Sequence, residues 1–165
     1  MIKLCLMPES CIGRNARTFL SKSQWDIIRK WCYRRAGYQC EYCGAVGVRV
    51  ECHEEWDFIM VQEHHIQRLM GLKCLCGDCH HATHLYQYGS LRDQSRYRRH
   101  LCEVNEWSEI VAKEVLRLAF REYRKRSKWH WELDLMWMVA HFGLPNIVIG
   151  HRPYEVEVNF NVECE

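Results

Sequence analysis

The segment Cys76-Gly77-Asp78-Cys79-His80-His81-Ala82-Thr83-His84, read with the earlier Cys40-Glu41-Tyr42-Cys43-Gly44, sets the architecture of this chain. Each carries a Cys-x-x-Cys pair, and two such knuckles supply the four soft ligands of a tetrahedral structural zinc. The pairs are separated by residues 44 to 75, 32 in all, which leaves room for a folded insert rather than a ribbon loop. Within that insert Val50-Glu51-Cys52-His53-Glu54 reads as a strand carrying a histidine. A clamp that draws two histidine-bearing segments together frames a site, and Cys40, Cys43, Cys76 and Cys79 are its expected zinc ligands.

Composition sets the outer bounds. At 165 residues, 48% apolar and 12% aromatic, the chain is long enough for one domain with a buried core. No apolar run approaches a membrane span, and Met1 to Pro8 is too short an apolar stretch for a secretory signal. A cytoplasmic protein is therefore expected. Eleven cysteines, an odd number, four of them at metal spacing, fit reduced thiols plus zinc better than a disulfide scaffold. Cys5, Cys11, Cys32, Cys74, Cys102 and Cys164 read as small buried residues; Cys52 stands out through its neighbour His53.

Net charge is only +2, but its distribution is uneven. Basic residues cluster at Arg29, Lys30, Arg34 and Arg35, at Arg92, Arg96 and Arg99, and from Arg121 to Lys128. Such segregation suits either a polyanion-binding face or solvated helix surfaces.

Along the chain, residues 1–30 read as an irregular arm and the start of a helix, capped by Ser21 or Ser23 and stopped at Gly37. Residues 31–88 form the zinc-bearing core. There Val48 to Trp56 alternates as a strand, with Cys52 on one face and Glu51 and His53 on the other. Residues 57 to 70 read as a polar connection, followed by an apolar run from Leu69 to Leu75. A helix then carries His80 and His84 and ends near Gly89. Residues 89–130 are basic and helical, with a capping box at Ser90 and a second helix from Ser108. In the extension at 131–165 the pattern does not decide helix from strand before Phe142, and residues 155–164 alternate as a strand, pairing within the domain or with a second copy.

His80 and His84, one turn apart on one helix side, face the strand histidine His53. Such a group can hold one metal ion that polarises a phosphoryl oxygen, while a neutral imidazole removes a proton from water. The blander alternatives are a core His53 paired with Glu51 or Glu55, and helix histidines that merely cap or complete the zinc site.

These segments together resemble the HNH endonucleases, whose fold is the ββα-metal unit. The resemblance rests on Cys40-x-x-Cys43-Gly44, Val50-Glu51-Cys52-His53-Glu54 and Leu75-Cys76-x-x-Cys79-His80-x-x-x-His84, and covers roughly residues 30 to 88. It implies an α+β fold with a zinc-stabilised ββα core, flanked by helices and a C-terminal strand. It further implies His53 as general base and His80 as a ligand of a catalytic metal, with His84 as a further ligand or phosphate contact. Cys52 takes the place of the usual ligand before the base, and Gly71 that of the central asparagine, whose role Gln62 or Gln67 would inherit. Magnesium or manganese is the implied catalytic ion, with nickel or zinc also suited to imidazoles. The implied substrate is DNA, double-stranded, cut to 5′-phosphate and 3′-hydroxyl ends. The alternative function is an inactive zinc-stabilised module that binds nucleic acid or a protein, for example a phage-encoded inhibitor of a host system.

Overall fold

Ser21 starts the first long helix through a reciprocal capping box. Its hydroxyl accepts from the Gln24 amide at 3.2 Å, and Gln24 Oε1 accepts from the Ser21 amide at 2.8 Å. The helix, α1, spans Lys22–Arg35 and gives way at Gly37, which adopts φ +58°. The computed structural model describes residues 1–85, 87 and 90–144. The strand expected at 155–164 lies outside the described residues.

After the first cysteine knuckle come two antiparallel strands, β1 (Val50–Val61) and β2 (His64–Cys76). This corrects the expectation of a polar connection over residues 57 to 70. The hairpin runs on to a tight turn at Gln62 and Glu63, with Gln62 at φ +55°. Its turn lacks the Asn-Gly or Gly-X pair that signals a hairpin in sequence. A bulge between Glu55 and Trp56 leaves Met70 without an opposite residue, so both strands keep their apolar sides aligned across it.

The segment the pattern left undecided resolves into both states. Glu132–Asp134 forms β3, parallel to β2, and Met136–Phe142 forms α5. The described sheet has the order β1-β2-β3, so β1 is an edge strand. Helix α2 (Gly77–Thr83) follows β2 directly, with His84 as its C-cap, and so ends sooner than the expected Gly89. Helices α3 (Leu91–Asn105) and α4 (Glu109–Arg126) begin at Ser90 and Ser108, as their capping signals predict.

Strand alternation divides the core between the two faces of the hairpin. Leu69, Leu72 and Cys74 pack with Ile28 and Cys32 of α1 and Met138 of α5. Leu75 and Cys76 pack with Cys79 and Ala82 of α2, Leu101 of α3 and Leu116 of α4. Residues 1 to 20 strap the outside as an arm with two 3-10 turns, Glu9–Cys11 and Ala16–Phe19. Paired hydrogen bonds pin it: Asn105 holds both backbone groups of Ile2 (2.6 and 2.9 Å), and Gln87 holds both of Met7 (2.8 and 2.8 Å). Among the described residues no helix is long and apolar enough to cross a membrane.

Candidate metal centres

The first knuckle is built by backbone bonds that close a tight turn. Gly44 N–H donates to the Cys40 carbonyl at 2.9 Å, Cys40 N–H donates to Ala45, and Gly44 takes φ +76°. Glu41 fastens this turn to its neighbours. Its carboxylate accepts from the Cys74 amide (2.6 Å), Arg35 (2.8 Å) and Lys73 (3.3 Å). The second knuckle is the N-terminus of α2, where Cys76 Sγ accepts from the Cys79 amide at 3.5 Å.

The ligand atoms of Cys40, Cys43, Cys76 and Cys79 lie within 4.8 Å of one another, so the four thiols are positioned to bind one metal ion. Sγ of Cys43 and Cys76 are 3.7 Å apart. A tetrahedron with Zn–S bonds of about 2.3 Å has edges of about 3.8 Å, so the spacing suits zinc. The electrostatics agree. Burial opposes ionisation of Cys40, but backbone hydrogen bonds from Cys43, Cys76 and Tyr42 outweigh it and bring its thiol down to about 7. Burial, and then the charge of Cys40, push Cys79 far up, and burial raises Cys76 to about 11. Four thiolates this close would repel one another, and a bound divalent cation would supply the missing charge. On α3, His100 Nε2 approaches Cys79 Sγ to 3.1 Å; nothing in the sequence pattern singles out this residue.

Histidines 53, 80 and 84 form a second group, their ligand atoms also within 4.8 Å of one another. The alternation of β1 turns Glu51 and His53 toward α2, and helical spacing turns His80 and His84 toward β1. The ring centroids of His53 lie 5.0 Å from His80 and 5.1 Å from His84. His80 Nδ1 donates to Glu51 Oε2 at 2.5 Å, and His84 Nδ1 donates to the Cys5 carbonyl at 2.8 Å. Acceptors on both Nδ1 atoms place an N–H there and fix the orientation of each ring. Metal-binding histidines are oriented in this way.

His53 is 4% exposed. Desolvation first, then the neighbouring His84 and His80, hold its pKa well below the ordinary imidazole value. Burial and His80 bring His84 down to about 4, against the opposing pull of the Cys5 carbonyl. Both rings are therefore neutral at pH 7 and competent as metal ligands or proton acceptors.

Cys52 stands apart from this group. Its thiol pairs with Cys32 of α1, and that partnership followed by burial raises its pKa, while its side chain packs in the α1 cluster. Gly71 lies opposite Glu55 in the hairpin. Neither Gln62 nor Gln67 lines the clefts beside the imidazoles. Gln67 is fully buried, its Nε2 directed at the Arg14 carbonyl (3.4 Å).

Two clefts open along the edge strand. One, about 240 Å³, has His53, His80 and His84 on one side and the arm from Met7 to Arg17 on the other. The second, about 960 Å³, runs beside α1 and the start of β1 and reaches His80. Neither is lined by α3 or α4, where the sequence concentrates arginines. Several of those arginines already face partners: Arg96 pairs with Asp78 (2.6 Å), Arg117 with Glu114 (2.6 Å), and Arg126 lies over the Phe58 ring.

Comparison with known proteins returned no matching family model, no matching curated protein and no matching solved structure.

Proposed function

We propose that this chain is a metal-dependent endonuclease of the ββα-metal (HNH) type, hydrolysing phosphodiester bonds of DNA. Cys40, Cys43, Cys76 and Cys79 hold a structural zinc, and His80 and His84 hold the catalytic ion. The observation that carries the reading is the convergence of three imidazoles beside an open cleft, two with Nδ1 already committed to Glu51 and Cys5. A hairpin followed by a helix, with a thiol cluster at their junction, supports the fold assignment.

A bound divalent ion would stabilise charge on the phosphoryl and leaving oxygens. His53, held neutral by desolvation, accepts the proton of the attacking water. Glu51 and the Cys5 carbonyl orient His80 and His84, and the arm limits access of bulk water to His53. Imidazole donors favour manganese, nickel or zinc over magnesium.

The test is nicking of supercoiled plasmid by wild type and His80→Ala across Mg²⁺, Mn²⁺, Ni²⁺ and Zn²⁺. Nicking by wild type, lost in the variant, supports the proposal. No nicking with any ion refutes it and leaves the zinc-stabilised binding module, a reading that Cys52 in the apolar cluster and glycine at position 71 favour.

A further inference from the structure

The two clefts adjoin. Both are lined by Arg17, Trp25, Cys52 and His80, so the larger one leads along α1 directly to the imidazole group. Its polar lining is asymmetric in charge. Arg17, Lys22, Arg29 and Arg49 contribute four cations; Asp26 and Glu51 contribute two carboxylates. Asp26 is held by Arg29 at 2.7 Å and Glu51 by His80 at 2.5 Å, so both acids are already engaged. Arg17, Lys22 and Arg49 are exposed and enter no ion pair among the described residues. Net positive charge and a cleft that reaches His80 therefore coincide on one face.

We infer that this groove, and not the arginine-rich helices α3 and α4, is the track that holds the sugar-phosphate backbone of duplex DNA. Phosphates seat on Arg17, Lys22 and Arg49, and the strand passes His80 toward the smaller cleft. Arg17 lies where the clefts join, so it contacts the phosphate next to the one at the imidazoles. The helix that feeds the first cysteine knuckle thus becomes a substrate-positioning element, anchored to the knuckle by the Arg35–Glu41 bond at 2.8 Å and to β2 by Arg35 donating to the Leu72 carbonyl at 2.9 Å. The inference rests on the nuclease reading for its substrate, but it concerns binding and is tested without turnover.

The experiment measures anisotropy of a short fluorescein-labelled duplex of mixed sequence, with zinc retained and no other divalent ion present, over a range of salt. The proteins are wild type, Lys22→Glu/Arg49→Glu, Arg17→Gln, and Arg121→Glu/Lys125→Glu on α4 as the comparison. Bound zinc and circular dichroism report folding, and all four substituted side chains of the double variants are on the surface. The groove double variant is expected to bind at least about tenfold more weakly, with its log–log salt slope reduced by about 2 in magnitude, close to one unit per lost phosphate contact. Arg17→Gln is expected to lower the slope by about 1. The α4 variant keeps both affinity and slope. Equal weakening by both double variants, weakening by the α4 variant alone, or no duplex binding by wild type overturns the inference. The nuclease reading fails separately, when a wild type that binds duplex in this groove nicks no plasmid with any ion.

Discussion

His100 Nε2 lies 3.1 Å from Cys79 Sγ, which ties the middle of α3 to the cysteine cluster. An N–H donated to a metal-bound sulfur delocalises thiolate charge and fixes the ligand's orientation, and losing such partners costs about 10–100-fold in metal affinity. His100→Phe keeps the ring volume and removes the donor. Zinc should pass to a chromogenic chelator at least about tenfold faster from this variant. Unchanged transfer would make the contact incidental packing.

Zinc removal should unfold the domain rather than merely silence it. The cluster sits in the apolar group formed by Leu75, Ala82, Leu85 and Leu101. Without an ion those side chains surround four repelling or poorly solvated thiols. Elemental analysis of protein prepared without added metal should find about one zinc per chain, since structural zinc contributes on the order of 10 kcal/mol to such folds. Chelation should abolish the near-ultraviolet signal of the seven tryptophans. A folded, metal-free protein contradicts the prediction.

The knuckles, the strand through His53 and the helix caps were legible because each depends on chemistry within a few residues. Ser90 and Ser108 cap where their spacing says, and of the two candidates Ser21 and Ser23 it is Ser21 that caps α1. Strand alternation puts His53 and Cys52 on opposite faces, although the family resemblance makes Cys52 a candidate ligand; the structure places its side chain in the α1 cluster instead. The remainder depends on contacts between distant segments. The Gln62–Glu63 turn carries no glycine or asparagine, so the second half of the hairpin looked like a polar link. His100 meets Cys79 from 21 residues away, and the Cys5 carbonyl meets His84 from 79 away. No local pattern encodes either pairing. The arginine runs of α3 and α4 are visible in the sequence, but which of their cations face carboxylates is not: Arg96 meets Asp78 from 18 residues away.

Glu41 should be a stability residue. One carboxylate joins the first knuckle to the Cys74 amide, to Lys73 and to Arg35. Glu41→Ala takes the acceptor from a half-buried amide and from Lys73, while Arg35 keeps its bond to the Leu72 carbonyl at 2.9 Å. Charge-assisted bonds of this kind are worth about 1.5–3 kcal/mol, so a loss near about 2 kcal/mol is expected in urea unfolding of the zinc-loaded protein. Zinc stoichiometry should stay at one. A loss under about 0.5 kcal/mol would assign the cluster to surface electrostatics.

Glu51 should act on the catalytic ion through His80. Its carboxylate receives the Nδ1–H bond and makes the imidazole a stronger donor. Glu51→Ala should raise the Mn²⁺ or Ni²⁺ concentration for half-maximal nicking by about tenfold or more. The rate at saturating ion should fall less. Calorimetric titration of the same ions checks the affinity without turnover, and an unaltered midpoint in both assays would detach Glu51 from the site.

His53 faces two roles that the geometry brings close together, and the variants separate them. Its ligand atoms reach the same space as those of His80 and His84, yet it is the most buried of the three and the most desolvated. A general base is worth about 10²–10⁴-fold in rate, and its loss removes an interaction made in the transition state alone. As base, His53→Ala should cut saturated nicking by at least about a hundredfold while leaving Mn²⁺ affinity within about threefold of wild type. His80→Ala should instead weaken the ion strongly, with part of the rate recovered at high metal. A lowered pKa makes His53 a weaker base than free imidazole, so added imidazole should restore some activity to His53→Ala in its neutral form. A large drop in metal affinity for His53→Ala, equal to that of His80→Ala, would make it a third ligand and transfer the base role to another group.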